Sequence, residues 1–438
     1  MSSIALFLLF LPMLALTLRW PFVGIMAWFW FGFLNPHRMV YGLMTTLPIA
    51  AMIAATTLMA YFFSREPKRL PKDPGSVLLI LLMIWVTFTT FFAVVPSAAW
   101  AEWEQTIKIM FMSVVATMLL TSRERIHVLV WVTVLSLGFF GFKGGVFTVI
   151  SGGSYHVWGP PKSFIFDNNQ LALALIMLVP LVRYLQLQSE HKWLKIGSGV
   201  LLVTCLFSIV GSQSRGALLG LIAMGGLLLM KSRNKLPMFL LGIVMVAILI
   251  NFVPESWVER MYSIGSYEED VSAQGRLHAW TYAIKVAMMW PITGGGFEIN
   301  VAKDLFLRLV PEASKARAFH SIYFEVLGCH GFVGLGIFLG MLWAVWRNFG
   351  WVMRKTRGNP EQSWAYDLAT MGQVSLFGYM INGAFLNLAF FDLIYLIVTL
   401  SGGLRFVVSQ ELTADQPALQ RLRPVGAAAA GRMAGTAP

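Results

Sequence analysis

Long apolar runs, each closed by a short polar stretch, repeat along almost the whole chain. They lie at about residues 4–34, 39–63, 76–95, 104–121, 126–150, 169–188, 194–211, 216–231, 236–253, 319–346, 365–387 and 390–408. A membrane-crossing helix needs roughly 20 apolar residues, and these runs meet that length without the period-two alternation of barrel strands. Only helices or closed barrels satisfy the backbone within lipid, so the pattern predicts an all-α, polytopic membrane protein of about 12 transmembrane helices. The first run is broken at Arg19-Trp20-Pro21, so residues 4–34 read either as one crossing or as two short half-helices.

The polar stretches are not alike. "SREPKRLPKD", "TSRER", "SEHKWLK", "KSRNK" and "RNFGWVMRKTRGNPEQ" are basic and alternate with neutral or acidic ones. The excess of Lys and Arg in cytoplasmic loops puts these five inside and leaves both chain ends inside for 12 spans; a thirteenth span would change that. Pro254 to Ala318 is an outer loop far longer than ordinary connections. "EEDVSAQGRLHAWTYAIKVAMMW" within it reads as a helix capped by Asp270 or Ser272 and stopped by "PITGGG", and "LFLRLVPEASKARAF" reads as a shorter helix. The organisation is thus an N-terminal membrane bundle (1–253), an outer loop domain (254–318), C-terminal membrane helices (319–408) and a cytoplasmic tail (409–438) too rich in Ala, Gly and Pro to pack.

Composition sharpens this picture at two points. Hydrophobic residues make up 57% of the chain and charged ones 12%, more apolar surface than a soluble domain could hide. The net charge of +12 sits largely in inter-span loops, where it sets orientation and meets anionic lipid rather than nucleic acid. The two cysteines, Cys205 and Cys329, fall in apolar runs, and no CxxC or His/Cys cluster suggests a metal. The nearest carboxylate group in the outer loop is Glu268–Asp270, a weak candidate for a cation.

Several basic residues stand on the outer side, against the usual bias, and groups kept there are suited to an anion. Arg215, in "GSQSRGALLG", opens a span whose N-terminal dipole adds to its charge, with Ser212 or Ser214 as cap and Gln213 beside it. Gly216 and Gly220 allow a neighbouring helix to come close. Arg276 stands near the start of the loop helix, where a cation opposes the macrodipole. His320 follows Arg317 and precedes a span on which Tyr323 and Phe324 share its face; a neutral imidazole there can accept a proton from a hydroxyl. Glu325 lies one turn deeper, where a carboxylate orients a neighbour or pairs with a base. Asp167, Asn168, Asn169 and Gln170 open another span, as pocket lining or as plain helix caps. Lys162 in the preceding loop and Lys143 near a span end are further anion contacts.

The order "SQSRG" (Ser212–Gly216), "GRLHAW" (Gly275–Trp280) in a long outer loop, and "FHSIYFEVLGCHGFVG" (Phe319–Gly334) opening a span resembles the O-antigen ligase and polymerase superfamily over roughly Ser198 to Phe349. "NPHR" near residue 36 is similar to the branch of putative O-glycosylation ligases. His320-Ser321 stands where the family often has His-Asn. The resemblance implies a GT-C-like glycosyltransferase of the bacterial inner membrane, working on the periplasmic side without metal or other cofactor. It implies a glycan donor on undecaprenyl diphosphate and, for a ligase, a lipid A–core sugar hydroxyl as acceptor. His320, Arg215 and Arg276 would be catalytic; Lys162, Asn168, Asn169, Gln170, Gln213, Arg317, Tyr323 and Lys143 would bind substrate. An O-antigen polymerase or a protein O-oligosaccharyltransferase would use the same donor. A lipid-linked glycan flippase is the reading of another class, and the absence of an internal repeat speaks against it.

Overall fold

A computed structural model describes residues 3–161, 163–232, 235–252 and 271–421, without the side chains of 237, 238, 241, 271, 272 and 414–421. All regular structure among these residues is helical. In chain order the helices are α1 (Ser3–Arg19), α2 (Pro21–Leu34), α3 (Ile49–Phe63), α4 (Pro74–Thr90), α5 (Pro96–Leu119), α6 (Arg123–Ile150), α7 (Asn168–Gln188) and α8 (Lys192–Gly211). They continue as α9 (Arg215–Lys231), α10 (Lys235–Leu249), α11 (Val271–Met289), α12 (Lys303–Leu309), α13 (Ile322–Thr356), α14 (Ser363–Gly383) and α15 (Asp392–Arg421). By length and composition α6, α7, α8, α13 and the Asp392–Thr413 part of α15 suffice to cross a membrane, and α1 to α4 are shorter apolar helices. The chain is a polytopic membrane protein. Lys162, Glu268, Asp270 and residues 422–438 lie outside the described residues.

α7 is the axis of the bundle: nearly every residue from Leu171 to Leu185 is buried, including Pro180 and Tyr184. An all-round apolar helix belongs in the interior, and α14 and α15 share that environment. α6 carries a run of glycines toward α8. A Cβ on Gly141 would meet Cys205 Sγ at 2.5 Å, and one on Gly145 would meet the backbone oxygen of Thr204 at 2.1 Å. Small residues at such a crossing let two helix backbones touch. Gly145→Ala is therefore expected to force α6 and α8 apart at a cost of about 1–3 kcal/mol, seen as a lower unfolding temperature of the detergent-purified protein.

The structure decides between the two readings of residues 4–34 and departs from the sequence expectations elsewhere. The stretch 4–34 is two half-helices packed antiparallel, not one crossing. Phe10 and Phe31 stand 5.5 Å apart, Gly24 faces Thr17, and Ser3 Oγ accepts from Met44 N at 3.1 Å. The turn sits at Trp20, whose extended backbone precedes Pro21 at the first helical position. The first departure is a break in α13: Gly331 has φ 68° and ψ −173°, splitting the expected 319–346 span into a short piece and a long one. Phe332 N donates to Pro291 O, Gly295 N to Gly328 O and Gly296 N to Cys329 O. The turn segment 291–296 thus takes over backbone groups that the break releases. The tail also begins later than expected, since α15 runs through residue 409 to Arg421.

The basic loops gather at one end. Arg125 pairs with Glu66 at 2.6 Å, Gln188 Nε2 donates to Asp367 at 2.9 Å, and Asn348 links Asp73 to Arg405. The loops holding Asp167, Ser212, Gly295, His320 and Ala389 gather at the other end, which carries the roof. Here α11, α12 and the connecting segments form their own apolar cluster around Tyr282, Val286, Ile299, Phe306 and Phe319.

A candidate anion and hydroxyl site at the His320 end

His320 sits in the turn just before α13 with φ 48°, a left-handed conformation rare for a residue with a Cβ. Both sides of this turn are pinned by the roof helix. Trp280 Nε1 donates to Phe319 O at 2.9 Å, and the Trp280 indole stacks on Phe324 with ring centroids 4.9 Å apart. The same helix brings Arg276 one turn before Trp280. A Cβ on Gly275 would stand 2.7 Å from Arg317 Cζ, so the Arg317 guanidinium fills the space that a glycine leaves at the start of α11.

The electrostatics of His320 record which charges are near. Burial lowers its pKa most, the positive charges of Arg276 and Arg317 lower it further, and Asp167 pulls the other way. The imidazole is therefore neutral at pH 7, with two cations and one carboxylate within electrostatic reach. His320, Arg276, Arg317 and Asp167 belong to one group.

The turn ahead of α9 joins this group by two bridges. Ser214 caps α9 by accepting from Ala217 N at 3.2 Å, which leaves Arg215 as the first helical residue. Asn168 Nδ2 donates to Ser212 O at 2.7 Å, tying this turn to the start of α7 next to Asp167. On the other side, Gly216 and Gly220 pack on Asn382 of α14. The end of α14 reaches back to α13: Tyr323 donates its hydroxyl to Met380 O at 2.9 Å, and a Cβ on Gly383 would press on Ile322.

Other expected site residues are engaged within the protein. Asp167 and Gln170 form a reciprocal capping box, and Asn169 donates to Asp167 and Asn168. Of the two readings offered for this stretch, the capping one is seen in Asp167 and Gln170, and Asn168 braces the Ser212 turn. Gln213 has φ 54° and donates to Gly153 O at 3.0 Å, which holds that strained turn. Tyr323 joins α13 to α14. Lys143 is exposed on α6 beside exposed Phe139, Phe142 and Val146. Lys162 lies outside the described residues.

The structure adds groups that single-residue inspection did not connect. Glu325 is neither a base partner nor an orienter of His320: its Oε2 accepts from Ala389 N at 2.9 Å and its Oε1 from Asn387 Nδ2 at 3.1 Å. Glu102 and Glu298 lie near enough to act on it, and Glu298, on the loop, has its own carboxyl pushed up, chiefly by burial. His330 is fully buried just before the Gly331 break, with Nδ1 2.7 Å from Thr89 Oγ1. Among the described residues no three His, Cys, Asp or Glu side chains come together as a metal site.

Comparison with known families agrees with this picture. Residues 200–339 match the family model described as O-antigen ligase, and residues 1–190 match a family of unknown function (DUF5935). The first match spans the Arg215 turn, α9, the roof, the His320 turn and the break in α13. No curated protein matches the chain. The O-antigen ligase match covers about a third of the chain and points toward ligase- or polymerase-type chemistry in glycan processing.

Proposed function

We propose that this protein acts as an O-antigen ligase, moving a glycan from undecaprenyl diphosphate to a sugar hydroxyl of lipid A–core, at the periplasmic face of the inner membrane. The observation that carries the reading is the half-buried His320 with the charges of Arg276 and Arg317 within reach, bridged to the turn that presents Arg215. A lipid diphosphate leaving group concentrates negative charge, and guanidinium forks match phosphate oxygens geometrically. Arg215 and Arg276 stabilise that charge as the anomeric C1–O bond to phosphate breaks. His320 takes the proton of the acceptor hydroxyl as its oxygen forms the new bond to C1, and undecaprenyl diphosphate departs. Attack from the face opposite the leaving group inverts the anomeric centre. Arg317 holds charge beside His320 and contributes to donor binding.

The membrane part supports the lipid half of the donor. An apolar groove of about 500 Å³ between α2 and α6, lined by Trp30, Leu34, Met39, Val132 and Leu135, opens on the flank of the bundle. Its rim at Leu34 adjoins Phe33, whose ring is 5.9 Å from Phe164, three residues before Asp167. A polyprenyl chain fits such a surface, in a GT-C-like arrangement with the head group at the His320 end.

Purified protein supplied with a lipid-linked glycan and lipid A–core tests the reading. Transfer to the core, undiminished in EDTA, is expected; a requirement for added divalent metal would remove the role given to the arginines. Deleting the gene separates the related activities. Full-length polymer left on its carrier indicates the ligase, and single repeat units on the core would instead mean a polymerase.

A further inference from the structure

We propose that the Asn382 carboxamide is a further donor of the diphosphate subsite, binding a phosphate oxygen beside Arg215. The inference rests on the function proposed above and adds a residue to its site. Asn382 lies near the end of α14, is 0% exposed, and neither its Nδ2 nor its Oδ1 has a protein partner. Buried amides in folded proteins are nearly always hydrogen-bonded, and an unpaired one among apolar groups is costly. A leucine would fill the same volume without that cost, so the amide calls for a use beyond packing.

Its position supplies one. The Asn382 Oδ1 is 3.1 Å from where a Cβ on Gly216 would stand, and its Cβ is 2.8 Å from where one on Gly220 would stand. Glycine at both positions opens the space that the amide occupies against the first turn of α9. That turn begins with Arg215, carries the positive end of the helix dipole, and has backbone N–H groups beyond the one that Ser214 accepts from. The residue after Asn382 packs on Ile322, two positions from His320. The amide therefore stands between the two turns that the reaction must bring to one substrate. With the amide turned end for end, which no protein hydrogen bond opposes, Nδ2 replaces Oδ1 beside Gly216, and a phosphate oxygen at the first turn of α9 then meets the Arg215 charge and the Asn382 N–H₂ together. Phe385 packs beside the same glycine, its Cβ 3.4 Å from the Gly216 Cβ position.

The test uses the full-length protein in nanodiscs with undecaprenyl diphosphate as the probe. Asn382→Leu is expected to weaken binding about tenfold, the size of one hydrogen bond to a charged group, while the unfolding temperature stays at or above that of the wild type. A purely structural amide would show the reverse pattern, with stability changed and binding kept. Should the leucine variant not fold, Asn382→Ser retains one shorter donor and is expected to lose several-fold in binding. Wild-type affinity in whichever variant folds, alongside weakened binding in Arg215→Ala, overturns this inference alone. A wild-type protein without affinity for undecaprenyl diphosphate overturns the proposed function and this inference with it.

Discussion

Replacing His320 by asparagine is expected to lower glycan transfer by about 10²-fold or more while leaving donor binding near the wild-type level. Asparagine is the informative substitution because of the backbone. His320 has φ 48°, and Asn tolerates that left-handed geometry better than most residues. The turn between Phe319 and α13 is then kept, and only the proton acceptor is removed. A variant that still turns over at more than a tenth of the wild-type rate would show that another group takes the proton. The pH profile gives a second reading. Burial, Arg276 and Arg317 hold the imidazole below its ordinary 6.5, with Asp167 opposing. The acidic limb of kcat/KM is therefore expected below pH 6.5. Stability follows the same sign: a histidine whose folded pKa is depressed contributes fully above the unfolded value, and the contribution falls as pH drops toward the folded one.

The second large effect is expected at the arginines, which should be separable from each other. Arg215→Ala and Arg276→Ala are each expected to reduce kcat/KM by about 10²-fold and to weaken undecaprenyl diphosphate binding, because both lose charge opposite the leaving phosphate. Lysine at either position restores the charge but not the fork, so partial recovery is expected. Arg276 also acts on His320, and Arg215 is not among the charges that do. Arg276→Ala should therefore move the acidic limb upward, as should Arg317→Ala, whereas Arg215→Ala should leave it in place. Identical pH profiles for all three variants would mean that the charge environment of His320 is not the one described.

How much of this was legible in the sequence depends on the range of the interaction. Apolar run length alone located most helices, because a membrane segment satisfies its own backbone. The Arg215 turn was legible for a local reason as well: Ser-x-Ser before a run of small and apolar residues is a cap, and Ser214 performs it. The roof helix was readable from "SAQGRLHAW" to "MMW", where Pro291 ends it. What was missed depends on distant partners. Gly331 looks like any glycine in a span, and its break exists because Pro291 and Ile292 occupy the space where a Cβ would go. Helix capping by the Asp167–Gln170 stretch was among the readings, but the bond from Asn168 to Ser212, 44 residues on, was not. Glu325 gave no hint that its partners would be Asn387 and the backbone of Ala389. The break at Trp20 announced a bend but not its angle, which is set by Gly24 meeting Thr17 and Thr57.

The antiparallel pairing of α1 with α2 reaches beyond local packing. Ser3 lies level with Met44 at the His320 end, while Glu411 meets Gln362 at the basic end. Ser3 and Glu411 therefore lie at opposite ends of the bundle, where the 12-span reading expected both ends of the chain on one side. A peptide tag fused ahead of Ser3 and another fused after Arg421 would answer to antibody from different sides of a sealed vesicle.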